Sequence, residues 1–206
     1  MAKSKSSRRW LDRHLNDEFV KRAQQEGYRS RAAYKLLEIQ SKDHILAPGM
    51  RVVDLGAAPG GWSQVAARIV GSGGRVVALD MLAMAPLPSV VFVQGDFRED
   101  ESIRYLREVL AGESVDLVLS DMAPNVSGTI AVDQPRMMLL CELALDMAYE
   151  VLKPGGALVV KAFQGEGFDA YLRAVRKSFA VVRSRKPKSS RANSRELYLV
   201  ATGYSL

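Results

Sequence analysis

Residues 51–62, which read RVVDLGAAPGGW, constrain the fold of this chain more than any other segment. Three apolar residues and Asp54 predict the end of a short buried strand. A turn of small residues follows, and an apolar-periodic segment from Trp62 to Val70 predicts a helix. A strand, a turn without bulky side chains and a helix allow the backbone to approach a nucleoside-bearing ligand closely.

The turn differs from the glycine fingerprint of dinucleotide-binding folds. That fingerprint needs a second glycine where this chain has Ala58, and Pro59 has no backbone N–H to offer a pyrophosphate. A turn of this kind also serves as an ordinary connection between a strand and a helix. Whether it borders a ligand site therefore depends on the residues that end the other strands.

Strands and helices alternate along the chain, which predicts a doubly wound α/β sheet. Apolar periodicity predicts a helix at 31–40, a long helix at 133–152 and another at 168–179. The last two strands are joined without a helix and are expected to pair as an antiparallel hairpin at one side of the sheet. The predicted strands are 51–55, 75–80, 90–94, 115–120, 157–161, 180–185 and 196–202.

The positive charge is concentrated in two flanks. The chain has 206 residues, the length of one ordinary domain, and a net charge of +6. Residues 1–35 hold ten Lys/Arg against four Asp/Glu, and residues 173–195 hold nine Lys/Arg and no acid. Either flank alone is common as solvated surface, but both together favour binding to nucleic acid. The candidate phosphate contacts of the first flank are Arg8, Arg9, Arg29 and Arg31.

Other features exclude several classes of protein. The sequence has no apolar run of membrane-spanning length and no signal peptide pattern. The single Cys141 precludes a disulfide framework, and His14 and His44 lack neighbouring ligands for a structural zinc. We therefore expect a cytoplasmic protein that binds neither a membrane nor a metal.

Charged residues stand at the ends of five successive predicted strands. Ligands of such a sheet bind at the carboxyl ends of its strands. Asp80 lies 24 residues beyond Gly56, close to the spacing of an acid that accepts both ribose hydroxyls of a nucleoside cofactor. Asp96 is positioned to accept the exocyclic amine of an adenine. One such residue is usually solvated, but this series predicts a ligand site: Asp54, Asp80, Asp96, Asp121 and Lys161.

Five segments together resemble a known family: RSRAAYKLLEI, DLGAAPGGW, SDMAPNVSG, VVKAFQGEGF and SRELYLVATG. In order and spacing, they look like the FtsJ/RrmJ family of S-adenosylmethionine-dependent ribose 2′-O-methyltransferases. The resemblance implies a Rossmann-like methyltransferase fold, with a seven-stranded, mostly parallel sheet, an antiparallel terminal strand and helices on both faces. Residues 31–206 would form this domain, and residues 1–30 a basic N-terminal arm.

The resemblance also implies the site residues and the substrate. The family's catalytic Lys-Asp-Lys-Glu set falls on Lys35, Asp121, Lys161 and Glu196. S-adenosylmethionine is the implied cofactor, with no metal. The short chain looks most like the branch that acts as a monomer on a uridine of large-subunit ribosomal RNA, with a tRNA or an mRNA cap as the alternative substrate. The implied cofactor-contacting residues are Gly60, Trp62, Asp80, Asp96 and Asp121.

The chemistry of methyl transfer explains why these residue types are needed. A ribose hydroxyl is a poor nucleophile until its proton is removed or strongly hydrogen-bonded. An ordinary lysine has a pKa of ~10.4 and is protonated, but burial and a nearby cation favour the neutral amine, whereas carboxylates oppose this. We take Lys161 as the base or hydroxyl-orienting group and Lys35 as a positioning cation. Glu196 would orient a lysine, and Asp121 would bridge cofactor and substrate.

Two other classes of protein would share some of these sequence features. A nicotinamide-dependent oxidoreductase would also place Asp80 on a ribose, although Ala58 argues against its fingerprint. A non-enzymatic RNA-binding module would account for the basic flanks, yet it has no need of acids at successive strand ends.

Overall fold

The structure is a computed structural model of the chain and describes residues 17–191 and 194–205. Helices alternate with strands along most of this length, as the sequence predicts. In chain order the elements are α1 (Glu18–Gln25), α2 (Ala33–Asp43), β1 (Arg51–Leu55), α3 (Gly61–Val70), β2 (Arg75–Asp80), β3 (Val90–Gln94), α4 (Asp100–Leu110), β4 (Val115–Ser120), α5 (Ile130–Val151), β5 (Leu152–Phe163), α6 (Phe168–Ser178), β6 (Phe179–Arg185) and β7 (Glu196–Tyr204).

The strands form one seven-stranded sheet in the order β3-β2-β1-β4-β5-β7-β6. The first five strands run parallel to one another, and β7 is antiparallel to both β5 and β6. The predicted mostly parallel sheet with its antiparallel terminal strand is thus confirmed, and so is the hairpin of the last two strands. The strand order reverses between β1 and β4, and ligands of such sheets bind in the crevice at that point.

Helices cover both faces of the sheet, again as predicted. On one face, α2 and α3 pack on strand residues such as Val52 and Leu119. On the other face, α4, α5 and α6 pack on the alternate residues, such as Val53 and Val118. Within residues 17–191 and 194–205, none of the helices is both long enough and apolar enough to cross a membrane.

Both β5 and α5 begin several residues before their predicted starts, for identifiable reasons. β5 begins at Leu152, which pairs with Val115 before the register shifts and Ala157 pairs with Leu117. The residues skipped by this register shift include Pro154, Gly155 and Gly156. Their sequence is typical of a break between two elements, although strand β5 continues through them. α5 begins at Ile130 rather than 133 because the Asp133 carboxylate accepts the N–H groups of the loop before it.

No helix is predicted in the basic arm, yet α1 lies there. Asp17 caps this helix, because its Oδ1 accepts the backbone N–H of Phe19 at 3.0 Å. Val20 and Ala23 are buried, and the Phe19 ring lies 5.7 Å from that of Tyr34 in α2. The first 16 residues of the predicted arm lie outside the described residues. Residues 17–30 pack against the helix that follows them.

Candidate active site

Charged side chains from separate elements meet at the carboxyl edge of the parallel strands, on the face covered by α2 and α3. Successive side chains of a strand point to opposite faces, so Asp121 extends the series of Leu117 and Leu119 toward this face. Because β7 runs antiparallel to β5, its first residues lie at the same edge. Tyr198 pairs with Lys161 across these two strands.

The four predicted catalytic residues form one cluster. The Nζ of Lys161 donates to the Asp121 carboxylate at 2.9 Å and to the Asp121 main-chain oxygen at 2.6 Å. The Nζ of Lys35 lies 2.9 Å from Glu196 Oε1 and 3.9 Å from Asp121 Oδ1. The structure therefore places two lysines and two carboxylates in alternating contact, although the four residues are up to 161 positions apart in the sequence.

Tyr198 belongs to this cluster and was not predicted from the sequence. Its hydroxyl donates to Asp121 Oδ1 at 2.6 Å and accepts from Lys35 Nζ at 2.9 Å. The side chain is fully buried. The signal was present, because Tyr198 stands two positions after Glu196 and therefore shares its face of the strand. An apolar strand pattern, however, suggests a core role for such a tyrosine.

The electrostatic environment keeps both carboxylates ionised. Burial alone would raise the pKa of Asp121, but the ammonium groups of Lys161 and Lys35 outweigh it and lower the pKa below its usual value. The pKa of Glu196 is lowered in the same way, since the Lys35 ammonium outweighs the effect of burial. Burial raises the pKa of Tyr198 well above its ordinary value, so the hydroxyl keeps its proton and remains a donor.

The turn between β1 and α3 is held by Asp80. One carboxylate oxygen accepts the Ala58 N–H at 2.9 Å, and the other accepts the Leu82 N–H at 2.8 Å. Asp80 thereby ties the predicted cofactor turn to the loop that follows β2. Gly60 ends the turn at a φ of 105°, a backbone conformation that favours glycine.

Trp62 connects the turn to the charged cluster. The residue is only 2 % exposed. The indole Nε1 donates to the Ala32 carbonyl at 2.8 Å, and the ring lies 5.6 Å from that of Tyr198. The indole is therefore used in packing. We expect any contact of Trp62 with a ligand to come from its main chain.

The other two predicted strand-end acids have different surroundings. Asp54 is fully buried, and one of its oxygens accepts the Ser63 hydroxyl at 2.6 Å. Its other oxygen has no hydrogen-bond partner among the described residues. Burial raises the pKa of Asp54 to about 7, against the opposing effect of the Ser63 hydroxyl. Asp96 is instead bound by Arg98, whose guanidinium and backbone N–H lower the pKa of Asp96 to about 2.

The two described arginines proposed as phosphate contacts are engaged within the protein. Arg29 donates to main-chain carbonyls of two loops. Arg31 pairs with Asp17 and donates to the carbonyl of Ser189. Arg8 and Arg9 lie outside the described residues. Of the second basic flank, exposed side chains include Arg173, Arg176, Lys177, Arg183, Lys186, Lys188 and Arg191.

Known proteins resemble this chain over nearly its whole length. The family of FtsJ-like methyltransferases matches residues 28–204. Two proteins from strains of Pseudomonas fluorescens, each named ribosomal RNA large subunit methyltransferase E, are 59% identical over 204 residues, covering 99% of this chain and 98% of the relative. The crystal structure of a ribosomal RNA methyltransferase from Plasmodium falciparum superposes with a TM-score of 0.77 at 32% identity, covering 86% of this chain and 98% of that one.

Proposed function

The chain belongs to the FtsJ-like methyltransferase family, and on this basis we propose that it methylates a ribose 2′-hydroxyl of large-subunit ribosomal RNA. The proposed methyl donor is S-adenosylmethionine, and the proposed target is a uridine. The names of the relatives support the RNA class, and the charged cluster supports a hydroxyl as the acceptor. Family membership leaves the oxidoreductase alternative without support.

The observation that carries this proposal is the pair of hydrogen bonds between Lys161 and Asp121. Both acceptors belong to Asp121, at 2.9 and 2.6 Å from the lysine nitrogen. A neutral amine that donates to both retains one lone pair, and an ammonium retains one hydrogen. The remaining position on the nitrogen can therefore accept the proton of a ribose hydroxyl or orient that hydroxyl. The side chain of Lys161 is 8% exposed, so little water competes for the remaining position on its nitrogen.

The other members of the cluster hold Lys161 and the substrate in place. Asp121 fixes the amine of Lys161 and stays ionised, because its lowered pKa keeps it an acceptor. Lys35 is held by Glu196 and Tyr198, and we assign it the positioning of the hydroxyl or of an adjacent phosphate. The strict alternation of positive and negative groups prevents any of them from being buried without a partner.

The acids around the turn fit the proposed cofactor. S-adenosylmethionine offers donors, namely an ammonium, two ribose hydroxyls and an adenine amine, and it carries a positive sulfonium that makes its methyl group electrophilic. Carboxylate oxygens accept hydrogen bonds, and Asp54, Asp80, Asp96 and Asp121 all lie at or near strand ends at this edge. The unpaired buried oxygen of Asp54 supports the presence of a donor there. We assign the ribose to Asp80, the adenine amine to Asp96, and backbone contacts to Gly60 and Trp62.

We further propose that the protein acts as a monomer in the cytoplasm, with the segment before residue 31 delivering RNA to the site. One chain supplies every member of the charged cluster, so the site is complete without a second copy. The exposed cations of the second flank support contacts with phosphate.

The test is transfer of a tritiated methyl group from S-adenosylmethionine to four RNA preparations: ribosomal RNA, assembled large subunits, tRNA and capped mRNA. Label in ribosomal RNA or in the large subunit is expected. A 2′-O-methyl group blocks alkaline cleavage of the next linkage, so the label should remain in an alkali-resistant dinucleotide. Lys161→Ala is the matched control. Label found only in mononucleotides would indicate base methylation, and label only in tRNA or capped mRNA would contradict the substrate.

A further inference from the structure

We propose that Arg29 is a positioning residue of the cofactor site rather than a contact for RNA. Its guanidinium joins the turn between β1 and α3 to the loop between β2 and β3, and anchors both to the segment that leads into α2. The inference rests on the proposed function, because it takes the turn to be the site of S-adenosylmethionine.

The guanidinium of Arg29 makes three hydrogen bonds to carbonyl oxygens. Its Nη1 donates to Pro59 O at 3.3 Å and to Ala85 O at 2.6 Å, and its Nη2 donates to Pro86 O at 2.6 Å. Pro59 belongs to the turn, whereas Ala85 and Pro86 belong to the loop after β2. One side chain therefore bridges two loops that are separated by a strand and a helix in the sequence.

The backbone around Arg29 is fixed at the same place. The Arg29 N–H donates to Gln64 Oε1 at 3.1 Å, and Gln64 Nε2 donates to the Gly27 carbonyl at 2.8 Å. Gln64 lies in the first turn of α3, directly after the cofactor turn. The segment is thus bound to α3 through its main chain and to both loops through the guanidinium.

Packing around Gly60 shows how close these parts lie. A Cβ atom added at Gly60 would meet Met84 Sδ at 2.8 Å, Leu87 Cδ1 at 3.0 Å and Arg29 Cδ at 3.1 Å. The turn, the loop after β2 and the aliphatic part of the Arg29 side chain therefore meet at Gly60. Displacing any of them moves the backbone that borders the proposed ligand.

Asp80 and Arg29 perform complementary tasks. Asp80 binds the same turn and loop through their N–H groups, at Ala58 and Leu82. Arg29 binds them through their carbonyl groups. A planar guanidinium reaches acceptors on two loops at once, which a lysine ammonium does with poorer geometry. Lys35, which we assign to positioning the substrate, lies six residues further along the chain. Anchoring Arg29 to both loops therefore also fixes the position of Lys35 relative to the proposed cofactor.

The experiment compares Arg29→Gln and Arg29→Lys with Arg104→Gln, which removes the same charge from an exposed residue of α4 that lies 3.8 Å from Glu101 and outside both basic flanks. Calorimetry gives the Kd for S-adenosylmethionine, kinetics give KM for cofactor and for RNA separately, and circular dichroism monitors folding. We expect Arg29→Gln to raise the cofactor Kd and KM about tenfold or more, and Arg29→Lys to raise them less. KM for RNA should match that of Arg104→Gln.

A merely structural role would lower the melting temperature without separating the two KM values. If Arg29→Gln does not fold, Arg29→Lys, which keeps the charge and the stem, decides the question. An unchanged cofactor Kd in the folded Arg29 variants, with a flatter salt dependence of RNA binding, would overturn the inference and make Arg29 an RNA contact. A wild-type chain that binds no S-adenosylmethionine would overturn the proposed function itself.

Discussion

The charged cluster and the turn between β1 and α3, the proposed cofactor site, lie at the same edge of the sheet, but they are held together differently. In the cluster, Lys161, Asp121, Lys35 and Glu196 bind one another through side chains from distant parts of the chain. Around the turn, the acid Asp80 binds backbone N–H groups instead. The geometry of the charged cluster depends on the identity of each side chain, whereas the geometry of the turn depends on the path of the backbone.

This difference indicates where substitutions should act. Removing a member of the cluster leaves a buried charge without its partner and removes a group that we propose to face the reacting hydroxyl. Removing Asp80 frees backbone N–H groups of the turn and of the loop after β2, and should weaken ligand binding. Substitutions in the charged cluster should therefore lower turnover, and substitutions around the turn should lower cofactor affinity.

The largest effect is expected at Lys161. Lys161→Ala and Lys161→Arg should each lower methyl transfer by roughly 10²–10⁴-fold, the usual contribution of a positioned acid or base. Arginine keeps the charge but does not deprotonate in a protein, so the pair separates a basic role from a cationic one. Single-turnover transfer measures the rate, and calorimetry should find cofactor affinity nearly unchanged. Near-normal turnover in Lys161→Arg would replace the general base with electrostatic positioning.

A smaller effect, and on affinity rather than turnover, is expected at Asp80. Asp80→Ala should weaken S-adenosylmethionine binding by roughly 1.5–3 kcal/mol, the range for hydrogen bonds to a charged group. Asp80→Asn should cost less because it keeps one acceptor for the Ala58 or Leu82 N–H. Calorimetric titration measures both. If affinity is the same in wild type and both variants, the turn is not the cofactor site.

Tyr198→Phe should have a still smaller effect, since it removes one hydroxyl and keeps the ring against Trp62. Asp121 loses a donor at 2.6 Å and Lys35 loses an acceptor at 2.9 Å, but each retains an ionic partner. We expect kcat to fall about 5–10-fold, in line with about 1–1.5 kcal/mol per hydrogen bond. Cofactor Kd should not change. An unchanged kcat would show that the hydroxyl only fills the core.

The smallest effect concerns RNA. Replacing both Lys188 and Arg191, which are exposed, with Gln should reduce the slope of log K against log salt by about 0.7 for each phosphate of a single-stranded target that the variant no longer neutralises. Filter binding over a range of salt concentrations measures the slope. Replacing exposed Glu101 and Glu108 of α4 with Gln is the control, since it alters charge away from the flank. Superimposable slopes for wild type and the flank variant would make these cations ordinary surface.

Much of the fold follows from local patterns. The small-residue turn, the alternation of strands with helices and the final hairpin are each specified by a short stretch of residues. In two of the places where the prediction differs, the missing information is a contact with a distant part of the chain. The start of β5 depends on Leu152 pairing with Val115, and α1 depends on burial of Val20 and Ala23. These contacts cannot be deduced from either segment alone.

The sequence by itself determined the family, the residue types at the strand ends and the candidate Lys-Asp-Lys-Glu set, because motifs are local and their spacing is preserved along the chain. Only the tertiary structure decided which groups touch. It placed the Tyr198 hydroxyl between Lys35 and Asp121, and it directed Arg29 to loop carbonyls rather than to solvent. Hydrogen bonds of this kind depend on the register of antiparallel strands and on the packing of α2 and α3 over the sheet. These are long-range arrangements, to which no single segment of sequence corresponds.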